Sequence, residues 1–200
     1  FAGTALAVSA PASPLWGSRV HVTGRLLTAA GAGLPVRRVR LLRRDAGSPA
    51  YKVVEAVLTR AGGAFGFGAW TARRSSDWYV AYGGGGGELG VRGQHRTTVV
   101  RQRVTLGPVD LTVRPGGTLQ LAGAVRPARS GVVALQRRGP DGRWVTLAQD
   151  WLTESGTGST WALSWRVRTA GPMTLRVRVG PRPKAGLVVG TSRMLVLNPR

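Results

Sequence analysis

The chain has 200 residues, of which 42% are hydrophobic, enough for one large domain or two of about 100 residues each. It has no cysteine, which excludes disulfides, thiolate metal sites and thiol nucleophiles but leaves the compartment open. Basic residues outnumber acidic ones 29 to 8, a net charge of +21, so the surface should carry a positive field that attracts nucleic acid, acidic glycans, teichoic acids or anionic lipid. The preference for Arg over Lys, with only Lys52 and Lys184 present, is what a GC-rich genome would give, but it does not account for the shortage of acids.

In chain order, the opening Thr4 to Ser9 alternates small and apolar residues. It reads as a first strand rather than the tail of a secretory leader, because the repeat places Ala5 to Val8 over a first strand of the second copy, and a leader's basic n-region is missing. Period-two alternation then recurs at Val20/Val22, Leu163/Trp165/Val167, Leu175/Val177/Val179 and Leu195/Leu197, with polar or basic residues between, the mark of half-buried antiparallel strands. Turn signals separate the runs at Gly31 to Pro35, Ser48-Pro49, Gly62-Gly63, Gly139-Pro140-Asp141-Gly142, Gly156-Thr157-Gly158 and Gly171-Pro172. Strands are expected near 4–9, 18–27, 36–44, 51–59, 64–71, 78–82 and 95–106, and again near 109–113, 118–126, 131–138, 143–151, 160–168, 173–179 and 188–197. No stretch has helical spacing over a useful length. Nor does any run reach the roughly 18 apolar residues of a membrane-spanning helix, because Gly, Pro and Arg punctuate the chain.

The two sets of strands align. Gly17 to Gly24 lies over Gly116 to Gly123 at an offset of 99, and Val39 to Arg44 over Val133 to Arg138 at an offset of 94, the difference falling in a loop. Trp78 to Tyr82 falls near Met173 to Val177, and Ala5 to Val8 near Val109 to Val113. The predicted fold is therefore all-β: two tandem antiparallel β-sandwiches of immunoglobulin-like type, residues 1–107 and 108–200, joined by the short, proline-stiffened Leu106-Gly107-Pro108-Val109.

Val22-Thr23-Gly24-Arg25-Leu26, Gly33-Leu34-Pro35-Val36 and Val39-Arg40-Leu41 resemble the opening of bacterial immunoglobulin-like modules of the carboxypeptidase-regulatory and collagen-adhesin B-repeat kind. The second copy keeps Leu121-Ala122-Gly123 and Val133-Ala134-Leu135 without the Gly-x-Pro loop. Gln136-Arg137-Arg138 followed by Gly142-Arg143-Trp144-Val145 resembles tandem modules of actinobacterial secreted proteins. The resemblance implies an extracellular or cell-surface, non-catalytic part: a spacer, an assembly unit or an adhesive surface alongside further modules of a larger chain. Its partner would be an anionic polymer or a cell-envelope component.

Catalytic patterns are sparse, and neither a cofactor nor a metal site is expected. His21 takes an outward strand slot, His95 has no acid beside it in sequence, no Gly-x-Ser-x-Gly elbow is present, and the eight acids are scattered singly. The run Gly83 to Gly87 is followed by Glu88-Leu89-Gly90 rather than by the Lys and hydroxyl of a phosphate loop, so it reads as a pliant connection. The strongest candidate chemistry is the arginines: Arg37, Arg38, Arg43, Arg44, Arg137, Arg138, Arg166, Arg168, Arg176 and Arg178. They are either solvated strand faces or guanidinium rows able to grip phosphate, sulfate or carboxylate. Trp70, Trp78, Trp144, Trp151, Trp161 and Trp165 could add stacking surfaces, although alternation assigns most of them to the core. Two rivals to the structural module therefore stand: a polyanion-binding accessory domain, and an enzyme whose site the sequence does not reveal.

Overall fold

A computed structural model of the chain describes residues 1–199, with 54% of the chain in strands and 3% helical. The chain divides into two compact units, Phe1–Val100 with Pro183–Leu187, and Arg101–Arg182 with the chain from Val188 on. The expected division at 107/108 thus falls at 100/101.

The first unit contains β1 (Thr4–Ser9), β2 (Arg19–Val20), β3 (Thr23–Thr28), β4 (Arg38–Asp45), β5 (Lys52–Leu58), β6 (Ala64–Gly66), β7 (Trp70–Thr71), β8 (Ser76–Tyr82), β9 (Val91–Arg92) and β10 (Arg96–Thr98). One sheet runs β1-β3-β6 and the other β10-β8-β4-β5, with β9 also on β8 and a short β2-β7 ladder apart. The second unit contains β11 (Arg103–Leu106), β12 (Thr118–Arg126), β13 (Val132–Arg138), β14 (Trp144–Trp151), β15 (Thr153–Ser155), β16 (Gly158–Arg166), β17 (Met173–Val179), β18 (Gly190–Thr191) and β19 (Leu195–Leu197). Its sheets run β11-β12-β16-β15 and β14-β13-β17-β18, with β19 also on β17. The core order is the same in both units: β1-β3-β6 matches β11-β12-β16, and β5-β4-β8 matches β14-β13-β17. In each, the last strand is broken into two short pieces against β8 or β17.

Alternation builds the cores. Along β17 the residues Met173, Leu175, Val177 and Val179 are buried while Thr174, Arg176 and Arg178 between them are not. These meet Leu119, Leu121, Leu163, Val133 and Leu135 from both sheets in one cluster. In the first unit Leu26 and Phe65 from one sheet pack on Val39, Leu41, Trp78, Val80 and Tyr82 from the other. A smaller cluster joins Val20, Ala72 and Val100 to Leu187, which explains why Pro183–Leu187 counts with this unit.

A glycine facing inward supports both sandwiches. Gly24 pairs with Phe65 across the strands, and a β-carbon on it would lie 2.3 Å from the Ala7 carbonyl oxygen and 2.5 Å from the Phe65 ring. Gly123 pairs with Trp161, and its β-carbon would lie 2.0 Å from the Thr105 carbonyl oxygen and 2.6 Å from the indole. The missing side chain is the space into which a core aromatic lies flat.

Three departures from expectation bear on how the two sets of strands correspond. Residues 109–113 form no strand, because Asp110 Oδ1 accepts both the Thr112 backbone N–H and its hydroxyl at 2.8 and 2.6 Å, turning the chain locally. The edge place goes to β11, which pairs with β12 although its residues read as the close of the first copy. The third departure is of register: Trp78 pairs with Arg43 and Leu175 with Arg137, so Trp78 matches Leu175, two residues beyond the sequence alignment.

Gly123→Ala should destabilise the second unit by roughly 1–3 kcal/mol, the usual cost of overpacking a core. Gly180→Ala, where the added methyl meets nothing within 4 Å, should change it little. Urea unfolding of the two variants provides the comparison.

Candidate functional site

Nine of the ten arginines divide by unit according to whether a carboxylate stands beside them, Arg38 being the exception. In the first unit Arg37 grips Glu88 with Nη2 at 2.6 Å from Oε1 and Nε at 3.2 Å from both oxygens. The Tyr82 hydroxyl donates to the same carboxylate at 3.1 Å. Arg43 pairs with Asp45 at 2.9 Å and lies over Trp70, while Arg44 pairs with Asp77 at 2.8 Å and lies over Tyr51. Arg38, exposed at the start of β4, has no acid partner among the described residues.

Two of these pairs, Arg37 with Glu88 and Arg44 with Asp77, shift both partners. The Arg37 guanidinium holds the Glu88 carboxyl below the usual carboxylate range, and the Tyr82 hydroxyl adds to the effect. Arg44 and then Thr97, which donates to Oδ1 at 2.8 Å, hold Asp77 low in the same way. Glu88 is reached through the five-glycine run. Instead of a pliant connection, Gly84 to Gly87 adopt positive φ in a turn closed by Gly85 and Glu88 exchanging backbone hydrogen bonds at 3.2 Å.

The second unit differs at the matching positions. Arg137 and Arg138 occupy the β13 places that Arg43 and Arg44 hold on β4, but Gly139 replaces Asp45 and Thr174 replaces Asp77. Arg176 and Arg178 stand on β17 where β8 carries Tyr79 and Ala81. Arg176 is tightly set: its Nε donates to Gln136 Oε1 at 3.0 Å and its guanidinium stacks 3.9 Å from the centre of the Trp144 ring. Burial, with the neighbouring Arg178 charge behind it, pulls its pKa below the ordinary arginine value. The ion pair between Arg143 and Asp141, 3.7 Å long, is largely exposed and weak.

The six candidate arginines of this unit fall into two groups, Arg138, Arg176 and Arg178 on an outer strand face and Arg137, Arg166 and Arg168 around one cleft. Arg138 faces outward with Arg176 and Arg178, in register with Trp144. Arg137, on the face of Val133 and Leu135, points toward the open end of the sandwich. A depression lined by Arg137, Arg138 and Thr174 leads from the outer face to that end. There a cleft of about 410 Å³ is lined by Arg137, Arg166 and Arg168 with Trp165, Thr146 and Thr169. Arg166 is steadied by its Nε donating to the Gly116 carbonyl at 3.1 Å. Among the described residues no acid lines either space.

The tryptophans are less buried than alternation implied. Trp78 and Trp161 are core residues, Trp70, Trp144 and Trp165 are half-buried, and Trp151 is 70% exposed on the outer face of β14. Sequence reasoning also missed an aromatic cluster in the first unit, where Tyr51 and His95 close over Tyr79 and the Tyr51 hydroxyl lies 3.0 Å from His95 Nδ1. Its members are 44 residues apart at the widest, so no local pattern announces it. His21 is exposed between the buried Val20 and Val22. Among the described residues no group of three or more His, Asp or Glu side chains stands together as a metal site. No family model matches the chain, and no curated protein matches it.

The depressed carboxylates of Glu88 and Asp77 contribute stability that is present above the unfolded-state value, about 4, and is lost as pH falls through their lower folded values. Glu88→Gln should therefore lower the thermal midpoint at pH 7. The loss should be smaller at pH 3 than at pH 7, because the contribution of a depressed carboxylate declines as pH falls below its unfolded-state value. Calorimetric scans at the two pH values test this.

Proposed function

We propose that the chain is a non-catalytic binding module of an extracellular or cell-envelope protein, made of two copies of one immunoglobulin-like sandwich, whose second copy holds a linear anionic polymer. The observation that carries this reading is the replacement of Asp45 and Asp77 by Gly139 and Thr174 beside otherwise matching arginine pairs. Codon bias toward Arg would raise the number of arginines in both copies. It would not remove the partners in one of them.

The division of roles follows. Arg37, Arg43 and Arg44 are engaged within the first unit, where they hold a loop and strand ends. Arg138, Arg166 and Arg168 are exposed and Arg137, Arg176 and Arg178 half-buried, and none of the six has an acid partner among the described residues. Two guanidiniums two residues apart on one strand face lie roughly 7 Å from each other, a spacing that successive charged groups of a polymer can meet. Among the described residues the helices are single 3-10 turns of three residues, so no recognition helix is present, and contacts made to phosphate alone would be indifferent to nucleotide sequence.

Binding of this kind releases condensed counterions, with a log–log salt slope near −0.9 per phosphate neutralised on duplex DNA. Arg176→Ser with Arg178→Ser should make that slope shallower by about one unit per residue while leaving the fold intact, since Leu175, Val177 and Val179 carry the core contacts of β17. Arg43→Ser with Arg44→Ser should lower stability and leave the slope nearly unchanged. Elution from heparin and fluorescence titration at several salt concentrations measure both. Equal slopes for the two double variants would overturn the assignment.

A further inference from the structure

We infer that the cleft at the open end of the second sandwich is a subsite for one acidic sugar residue, so that the polymer is an acidic polysaccharide. This rests on the polyanion reading above and narrows it.

The argument starts from what shares the cavity. Trp165 occupies an inward position of β16, two residues after Leu163, and reaches the end of the core, where it is half-buried with one side in the cleft. Arg137 enters from the facing sheet, at the position after buried Leu135 on the same face of β13. Arg166 and Arg168 close the space from the end of the Trp165 strand, and Thr146 and Thr169 add hydroxyls. An indole, three guanidiniums and two hydroxyls therefore line one volume of about 410 Å³, within the usual range of small-ligand sites and free of acidic lining residues.

A ligand satisfying that lining must carry its flat apolar surface and its negative charge on the same residue. A nucleotide carries them on separate parts, because the ribose stands between the base and the phosphate. A base on Trp165 would leave three guanidiniums facing a neutral ring edge. A uronic acid or a sulfated sugar carries the oxyanion directly on, or one bond from, the pyranose ring. Its C–H face can lie on the indole while the carboxylate or sulfate takes the planar Arg forks and its hydroxyls take Thr146 and Thr169. Single-strand binders instead use a series of open aromatic faces, whereas on this outer sheet the Trp144 face is covered by Arg176 and Trp151 alone stands open among the described residues.

The test titrates the 200-residue chain, at one ionic strength, with three oligomers of matched charge: an oligogalacturonate, a heparin-derived oligosaccharide and an oligothymidylate. At least one of the sugars should bind about tenfold tighter than the oligothymidylate, and which one it is separates carboxylate from sulfate as the group recognised. Arg168→Ser, a change at an exposed position, and Trp165→Leu, which keeps apolar bulk for the core, should each remove most of that preference. Their melting curves verify folding, and Arg176→Ser, outside the cleft, should weaken all three ligands alike. If the oligothymidylate binds as tightly as both sugars, or the preference survives both cleft variants, the sugar subsite is wrong and the polyanion reading stands. If none of the three binds at physiological salt, both fail.

Discussion

A guanidinium cannot be buried without a partner, and a chain with 29 basic and 8 acidic residues can provide partners for only a few. That constraint reaches every strand. In a two-sheet sandwich one face of each strand is closed, so an unpaired arginine must take the alternate face or a strand end, and a slip of one residue would turn a row of arginines into the core. The register of β17 is held from both directions: Leu175, Val177 and Val179 are drawn in, and Arg176 and Arg178 are held out. Arg137, the one arginine of β13 on an inward face, stands at the last turn of the ladder, where the sandwich opens.

The same constraint separates the two units, which otherwise share their strand order and an inward glycine under a core aromatic. In the first, scarce carboxylates are spent on strand ends and on a glycine-rich loop. Glu88 draws together Arg37 from the approach to β4, Tyr82 from the end of β8 and the turn at Gly85. Three of that unit's acids stand in ion pairs with arginines, and the fourth, Glu55, accepts the Gly68 backbone N–H. In the second unit Asp110 and Asp150 accept hydrogen bonds from neighbouring residues, and Asp141 meets Arg143 at a long exposed distance. One scaffold thus carries two electrostatic characters.

Much of the fold was legible because alternation and turn chemistry are local. The expected strands at 4–9, 118–126 and 173–179 coincide with β1, β12 and β17. What failed was decided by contacts that no window contains. Residues 103–106 alternate as well in either copy, and only pairing with β12 assigns them. Residues 109–113 look like a strand until the Asp110 side chain takes the backbone N–H two residues on. The surface was half legible: the outward placing of Arg176 and Arg178 follows from their neighbours, but pairing of Arg37 with Glu88 spans 51 residues and of Arg44 with Asp77 spans 33. The split between engaged and unengaged arginines was therefore invisible in a row of identical letters.

What distinguishes the Arg176 site from a merely solvated arginine is how little freedom is left to it. A surface arginine gives up much of its rotamer entropy when it fixes an anion, which is one reason exposed ion pairs contribute so little. Here the fold has already borne that cost: Nε is held by Gln136, itself within reach of the Thr146 hydroxyl at 3.4 Å, and the flat of the group lies on Trp144. Burial and Arg178 make the cation less comfortable than it would be in water. Compensation is therefore left to an anion arriving from solvent, and a guanidinium held in place, partly desolvated and beside a second one is better prepared to receive it than six mobile charges on an open face would be.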